Sequence, residues 1–141
     1  MAQGLSHITF IVRNLERMTQ IVTQVLGGRQ VYDSGEETFS LSRERFFTVG
    51  DVWIAIMEGD PVRERSYNHI AFKVSDADLP RAEQAIRDLG LEVLSPRSRV
   101  EGEGQSIYFY DDDNHLLELH SGTLEQRLDR YAQGREPVAG A

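Results

Sequence analysis

The chain has 141 residues, no cysteine, 40% hydrophobic residues and a formal net charge of −8. This length fits one compact domain, the missing cysteines exclude disulfides and thiolate metal ligands, and the acidic balance argues against a surface that binds nucleic acid. No apolar run approaches the ~20 residues of a membrane span and the start carries no signal-peptide pattern, so we expect a cytoplasmic protein with no membrane partner.

The first half of the chain predicts a strand, a helix and three more strands. His7–Val12 alternates with period two, which predicts a strand with His7 and Thr9 on one face. Asn14 is suited to cap a helix that continues to about residue 26, where two glycines end it. Three strands are expected at 30–32, 46–49 and 52–57, separated by turn-rich segments.

The second half repeats this order. A strand is expected at 69–74, then a helix capped by Asp76 or Asp78 and ending near residue 89, then three strands at 91–94, 106–110 and 116–120. Residues 95–105 are interpreted as a loop over a site, and a short helix is expected to begin near residue 123. The acidic run 111–113 is interpreted as a solvated turn, and His115 as a loop residue.

Two segments carry nearly the same pattern, GLSHITFIV at 4–12 and SYNHIAFKV at 66–74, each with a histidine near its start. A duplicated strand with a histidine in each copy suggests a metal site built across two structural repeats. Without cysteine, a carboxylate is the natural third ligand. Glu118 is the best candidate, because it lies in an apolar strand where an unpaired carboxylate would be costly to bury. His120 lies two residues after Glu118 and so on the same face of the strand. It is interpreted as a polar strand end, and the alternative is that it contacts Glu118 and supports it as a ligand.

These features resemble the vicinal oxygen chelate superfamily and, within it, fosfomycin resistance proteins of the FosX type. The resemblance covers about residues 5–131, and its most specific strings are GLSHIT (4–9), YNHIAF (67–72), GEGQSIYFYD (102–111) and NHLLELHSGTL (114–124). It implies an α+β fold of two paired βαβββ modules that form a cupped mixed sheet around one metal. The expected single domain, 1–141, has module one at about 4–60, module two at about 66–121 and a C-terminal helix at about 123–133.

The resemblance also implies the chemistry. His7, His69 and Glu118 would hold a divalent metal, with Mn(II) expected, although composition alone does not distinguish it from Fe(II) or Zn(II). The implied substrate is fosfomycin, a phosphonate epoxide, and the implied base is Glu44, which from the residues alone would be interpreted as a surface charge. A homodimer is expected, with cavities completed by modules of both chains.

A phosphonate requires cationic and hydroxyl donors. The expected substrate-binding residues, with an aromatic cavity wall among them, are Thr9, Trp53, Arg97, Ser98, Arg99, Ser106, Tyr108 and Arg127. Of these, Thr9, Tyr108 and Arg127 match family positions well, whereas the choice among Arg97, Ser98 and Arg99 stays open.

The leading hypothesis is a metal-dependent hydrolase that opens fosfomycin with water to a vicinal diol and so confers antibiotic resistance. Three alternatives stay open. One is a thiol (glutathione) transferase of the same fold, and another is a ring-cleaving dioxygenase, since two histidines and a carboxylate also describe a non-heme iron site. The third is a protein that binds its ligand without turnover.

Overall fold

The computed structural model describes residues 1–94 and 104–135. Within these ranges no helix is both long enough and apolar enough to cross a bilayer. In chain order the elements are β1 (His7–Val12), α1 (Leu15–Gln20) continued by a π-helical turn (Ile21–Val25), β2 (Arg29–Asp33), β3 (Glu44–Val49), β4 (Val52–Glu58), β5 (His69–Lys73), a 3-10 turn (Asp76–Asp78), α2 (Leu79–Asp88), β6 (Glu92–Val93), β7 (Ser106–Tyr110), β8 (Leu116–His120) and α3 (Leu124–Arg135).

The strands form two four-stranded mixed sheets with the same internal order, β1-β4-β3-β2 and β5-β8-β7-β6. In each sheet the first strand pairs in parallel with the fourth, and the remaining pairs are antiparallel. The repeat in the sequence is therefore a repeat in the structure, and the predicted α+β fold class is confirmed. β1 and β5 each stand at the edge of their sheet.

The first helix begins as predicted. The backbone N–H of Arg17 donates to Oδ1 of Asn14 at 3.0 Å, which satisfies one of the free N–H groups of the first turn. The helix then widens into the π-helical turn, and the chain leaves it through Gly27, whose φ of +68° favours glycine. The buried side of this turn consists of Ile21, Val22 and Val25.

The N-cap position of the second helix is Asp78, one of the two predicted residues, but the capping hydrogen bond comes from Ser75. Ser75 is the capping residue, because its hydroxyl oxygen accepts from the backbone N–H of Asp78 at 3.2 Å and opens the 3-10 turn that precedes α2. Asp78 stands at the N-cap position of α2, but its side chain makes no capping bond and instead accepts from the Ser75 hydroxyl at 2.9 Å.

One hydrophobic core joins both halves of the chain. It combines one face of each sheet with the buried sides of α1 and α2, and its members include Phe10, Phe47, Ile54, Phe72, Ile86, Phe109 and Leu117. Because strand side chains alternate, the opposite face of each sheet is left open. The predicted functional side chains that belong to strands lie on those open faces.

The acidic run between β7 and β8 is not the solvated turn expected from the sequence, since Asp111 and Asp113 are only 4% and 5% exposed. Oδ1 of Asp111 accepts from the backbone N–H groups of Asp113 and His115 at 2.9 and 2.8 Å. The Arg13 Nε–H donates to Oδ1 of Asp113 at 3.0 Å. These donors compensate for the loss of water around the carboxylates. His115, expected in a loop, packs its ring on Phe10 with 4.9 Å between centroids.

Candidate metal centre and substrate cavity

The open face of the first sheet carries His7, Thr9, Glu44 and Trp53. The strand register places His7 beside Trp53, Thr9 beside Ala55 and Glu44 beside Met57. The rings of His7 and Trp53 lie 4.3 Å apart, and the Ser6 hydroxyl lies 3.0 Å from Nδ1 of His7. Nε2 of His7 makes no hydrogen bond within the described part of the chain. This nitrogen is therefore available to a ligand.

Glu44 is not the surface charge that the residues alone indicate. It is 8% exposed, and its backbone N–H donates to the Ser34 hydroxyl at 3.0 Å. The flanking arginines turn elsewhere: Arg43 donates to the carbonyl of Gly35, and Arg45 pairs with carboxylates of neighbouring elements. Across residues 1–94 and 104–135 the Glu44 carboxylate has no hydrogen bond or ion pair. A mostly buried carboxylate without a partner in the described residues is unusual, so Glu44 is a candidate for the predicted base.

The open face of the second sheet carries His69, Ser106, Tyr108 and Glu118. Register places Glu118 between Ala71 of β5 and Tyr108 of β7. Glu118 is 5% exposed, and its Oε1 lies 3.1 Å from Nε2 of His69. The structure thus brings together two of the three predicted metal ligands.

The contact between His69 and Glu118 fits a divalent metal. Nδ1 of His69 lies 2.8 Å from the carbonyl oxygen of Tyr67, and because a carbonyl only accepts, Nδ1 carries the proton. In the neutral ring Nε2 then carries a lone pair, which faces Oε1 of Glu118. A cation between these two atoms would satisfy both, and their spacing is close to the ~3 Å between adjacent ligands of a metal with bonds of ~2.1 Å. A backbone carbonyl behind a ligating histidine is also the usual means of orienting the ring.

The third predicted ligand is not gathered with this pair. Among the residues that the structure describes, no three histidine, aspartate or glutamate side chains are close enough to hold a metal. His7 belongs to the first sheet, whereas His69 and Glu118 belong to the second. A single chain therefore presents two half-sites, and the complete ligand set stays a prediction.

Tyr108 lies beside His69 and Glu118 and is a neutral hydrogen-bond donor. Its ring lies 5.3 Å from that of His69 and 6.0 Å from that of Tyr67. Burial raises the pKa of Tyr108 well above the usual value for tyrosine, and hydrogen bonding to Tyr67 and the charge of Glu118 raise it further. The phenol therefore keeps its proton at neutral pH. Tyr67 is a site residue that the sequence interpretation missed, although its position two residues before His69 was a usable signal.

Ser106 links Glu118 to His120. Its hydroxyl oxygen lies 2.6 Å from Oε2 of Glu118 and 2.7 Å from Nδ1 of His120. His120 is thus placed beside the carboxylate, although the sequence favoured a plain polar strand end. The spacing of two residues between Glu118 and His120 on one strand indicated that both side chains lie on the same face.

Arg127 is the remaining predicted residue that the structure describes. Arg127 lies exposed on α3, and its backbone N–H donates to the carbonyl of Thr123 at 3.2 Å. Its guanidinium forms no ion pair with any residue in the described ranges. Arg97, Ser98 and Arg99 lie outside the described residues.

Comparison with known proteins gives a consistent result. Residues 4–119 match the family described as Glyoxalase/Bleomycin resistance protein/Dioxygenase superfamily. The fosfomycin resistance protein FosX of Mesorhizobium japonicum is 62% identical over 136 residues, which cover 96% of this chain and 98% of that protein. The metallothiol transferase FosB of Shouchella clausii is 37% identical over 136 residues, covering 93% of this chain and 88% of that protein.

A solved structure shows the same similarity. The crystal structure of a glutamate-to-glutamine mutant of FosX from Listeria monocytogenes, complexed with Mn(II) and 1S,2S-dihydroxypropylphosphonic acid, superimposes with a TM-score of 0.82 at 49% identity. The match covers 93% of this chain and 99% of that chain.

Proposed function

The chain belongs to the Glyoxalase/Bleomycin resistance protein/Dioxygenase superfamily and, within it, to the FosX fosfomycin resistance proteins, and from this premise we propose how its residues divide the work. Its activity is that of a Mn(II)-dependent fosfomycin epoxide hydrolase, which adds water to the epoxide and yields a vicinal diol. The observation that carries the hydrolase assignment within this chain is the buried, unpaired carboxylate of Glu44 on the face it shares with His7.

His69 and Glu118 would hold the metal, and His7 would be the third ligand. When bound, the cation acts as a Lewis acid that stabilises the negative charge developing on the epoxide oxygen. Because His7 lies on the other sheet, we propose that His7 of a second copy completes the ligand set in a homodimer. The edge positions of β1 and β5 and the exposed apolar side chains of Leu5 and Tyr67 support this arrangement.

Glu44 would act as the general base. It takes a proton from water as the water oxygen bonds to the carbon next to phosphorus and the carbon–oxygen bond of the ring breaks. The ring oxygen gains a proton, so that the sum of substrate and one water is the diol. A positioned base of this kind contributes about 10²–10⁴-fold to the rate.

The phosphonate would be held by donors from both half-sites. Thr9 supplies a hydroxyl from the first sheet, Tyr108 supplies its neutral phenol from the second, and Arg127 supplies a positive charge from α3. Trp53 would form part of the wall. Ser106 supplies a further hydroxyl. Arg97, Ser98 and Arg99 complete the proposed set, and the choice among them stays open.

Product analysis by phosphorus NMR tests the function directly. Purified protein with Mn(II) is incubated with fosfomycin, with and without glutathione. Formation of the diol without thiol supports the hydrolase, whereas strict dependence on thiol would contradict it and favour the transferase activity named for FosB. Tight binding without product would indicate a binding protein, and oxygen uptake with a catechol and Fe(II) would indicate a dioxygenase.

The proposal includes a cytoplasmic location. Fractionation of producing cells, with diol formation as the marker, tests it.

A further inference from the structure

We propose that His120 is a positioning residue that acts through Ser106 on the carboxylate of Glu118 and thereby strengthens metal binding. This inference rests on the proposed function, because that proposal makes Glu118 a metal ligand. It assigns His120 a role in the site and gives Ser106 a task in addition to the proposed binding of the phosphonate.

The direction of the hydrogen bonds follows from the chemistry of the three groups. An ionised carboxylate only accepts hydrogen bonds, so the short 2.6 Å contact uses the single hydroxyl hydrogen of Ser106 as donor to Oε2 of Glu118. The Ser106 oxygen can then only accept at its other contact. Nδ1 of His120, at 2.7 Å, must therefore carry the proton. The result is a directed relay from imidazole to hydroxyl to carboxylate. The direct separation of Nδ1 of His120 from Oε2 of Glu118 is longer, at 3.4 Å, so the two contacts of Ser106 form the shorter route.

The strand register builds this relay. Ser106 of β7 lies directly opposite His120 of β8. Glu118 is two residues earlier on β8, so its side chain points to the same open face as His120. The two carboxylate oxygens of Glu118 therefore have different partners: Oε1 faces His69, and Oε2 accepts the hydrogen bond from Ser106. A relay on one oxygen fixes the rotation of the carboxylate and leaves the other oxygen directed at the metal position.

This restraint has an energetic consequence for metal binding. A free glutamate side chain loses rotamer freedom when it becomes a ligand, and prior ordering reduces that cost. Residues that hydrogen-bond a metal ligand from behind typically contribute 10–100-fold to metal affinity. The same fold-change is the expected contribution of this relay.

His120 can be replaced without opening the core. Its side chain is 20% exposed at the end of β8 and lines a cavity of about 330 Å³, together with Lys73 and Leu124. Substitutions at this position therefore alter the wall of a cavity rather than the packed interior.

The test measures Mn(II) affinity by electron paramagnetic resonance on the intact protein, independently of turnover. We expect His120→Phe and Ser106→Ala each to weaken Mn(II) binding about 10–100-fold. His120→Asn keeps an N–H donor near the position of Nδ1 and should retain most of the affinity. Ser121→Ala is the matched control, because the Ser121 hydroxyl accepts from the backbone of Gln105 instead, and it should leave Mn(II) affinity unchanged.

The double variant separates a relay from two independent effects. If His120 acts only through Ser106, then adding His120→Phe to Ser106→Ala costs no further affinity. Unchanged Mn(II) affinity in either single variant, or full additivity in the double variant, would overturn the proposal. If His120→Phe does not fold, as judged by circular dichroism, Ser106→Ala and His120→Asn decide the question by the same criterion. A wild-type protein that binds no Mn(II) would instead overturn the proposed metal site itself, and the relay with it.

Discussion

Glu44 and Glu118 are both buried carboxylates, but their surroundings differ in a way that suits different tasks. Glu118 has a contact on each oxygen, from His69 and from Ser106. Glu44 has none on its carboxylate within the described ranges, although its backbone is held by Ser34. A metal ligand benefits from fixed orientation, whereas a base needs an accessible lone pair for the proton it removes.

The first prediction concerns Glu44. Replacing it with glycine should abolish diol formation, a loss of about 10²–10⁴-fold, because the general base is removed. Mn(II) affinity should stay the same, since Glu44 is not a proposed ligand. Phosphorus NMR and electron paramagnetic resonance measure the two effects separately. Glu44→Gln is the matched control for shape, and it should lose activity equally; activity retained in that variant would contradict a base.

The second prediction concerns Tyr108. Its raised pKa keeps the phenol protonated, so it can donate to the phosphonate throughout the neutral range. Tyr108→Phe should lower kcat/KM about tenfold or more, as expected for a lost hydrogen bond to a charged group. Tyr131→Phe, which alters an exposed tyrosine on α3, should be neutral. Steady-state kinetics with fosfomycin provides the measurement, and equal effects in both variants would argue against a donor role.

The residues were predictable to different degrees, for physical reasons. That Glu118 has compensating partners could be predicted, because a carboxylate among leucines is costly to bury without them. The burial of Glu44 was not, since it depends on β3 starting at residue 44 instead of 46 and on the approach of Ser34. Both are tertiary contacts that a local pattern of arginines and glutamate does not encode.

At the scale of elements, the turn between β7 and β8 is linked to the start of α1 by two arginine–aspartate ion pairs. Arg13 donates through Nε to Oδ1 of Asp113 at 3.0 Å, and Arg17 donates through Nε to Oδ2 of Asp112 at 2.9 Å. The two carboxylates differ in burial: the Asp113 side chain is 7% exposed and that of Asp112 is 49% exposed, whereas Arg13 and Arg17 are 64% and 25% exposed. Because the carboxylate of Asp113 has lost more of its water, its hydrogen bonds should matter more for stability.

The third prediction follows from this difference. Asp113→Ala leaves the backbone N–H and the Nε–H of Arg13 without their acceptor and should lower the free energy of unfolding by about 1–3 kcal/mol. Asp112→Ala removes the pair with the more exposed carboxylate and should cost no more than about 1 kcal/mol. Urea titrations followed by circular dichroism give both values. Equal losses would indicate that burial does not set the strength of this contact.

Most elements were predictable because periodicity reports them directly. The strands β7 and β8 have the expected bounds, since β7 alternates between its two faces and β8 is a short, mostly apolar run. The π-helical turn after α1 and the 3-10 turn before α2 were not expected. Both change the hydrogen-bond spacing while keeping the apolar stripe, so hydrophobic periodicity is the same with or without them.

At the scale of the whole molecule, the shared core fixes where the two half-sites point. Both sheets use one face for the interior, so the faces with His7 and with His69 open outward. The repeat predicts two equivalent sheets and hence the fold class. It does not determine whether the two halves of one chain or of two chains meet at the metal, because the internal pattern of each half is the same in both cases.

The fourth prediction resolves this question. His7→Ala and His69→Ala homodimers should each be inactive, because each variant lacks a ligand in every site. If sites form between chains, mixing the two after subunit exchange should restore about a quarter of wild-type activity, since half of the dimers are mixed and each has one intact site. The measurement is diol formation after co-refolding. Persistent inactivity of the mixture, with dimers present by light scattering, would place each complete site within one chain.

The separation of the two half-sites has a consequence for the cell that makes this enzyme. If a complete site exists only in the dimer, the number of sites at low expression rises with the square of the subunit concentration. Protection against the antibiotic would then have a threshold: a weak promoter or a single gene copy would give far less survival than its share of the protein suggests.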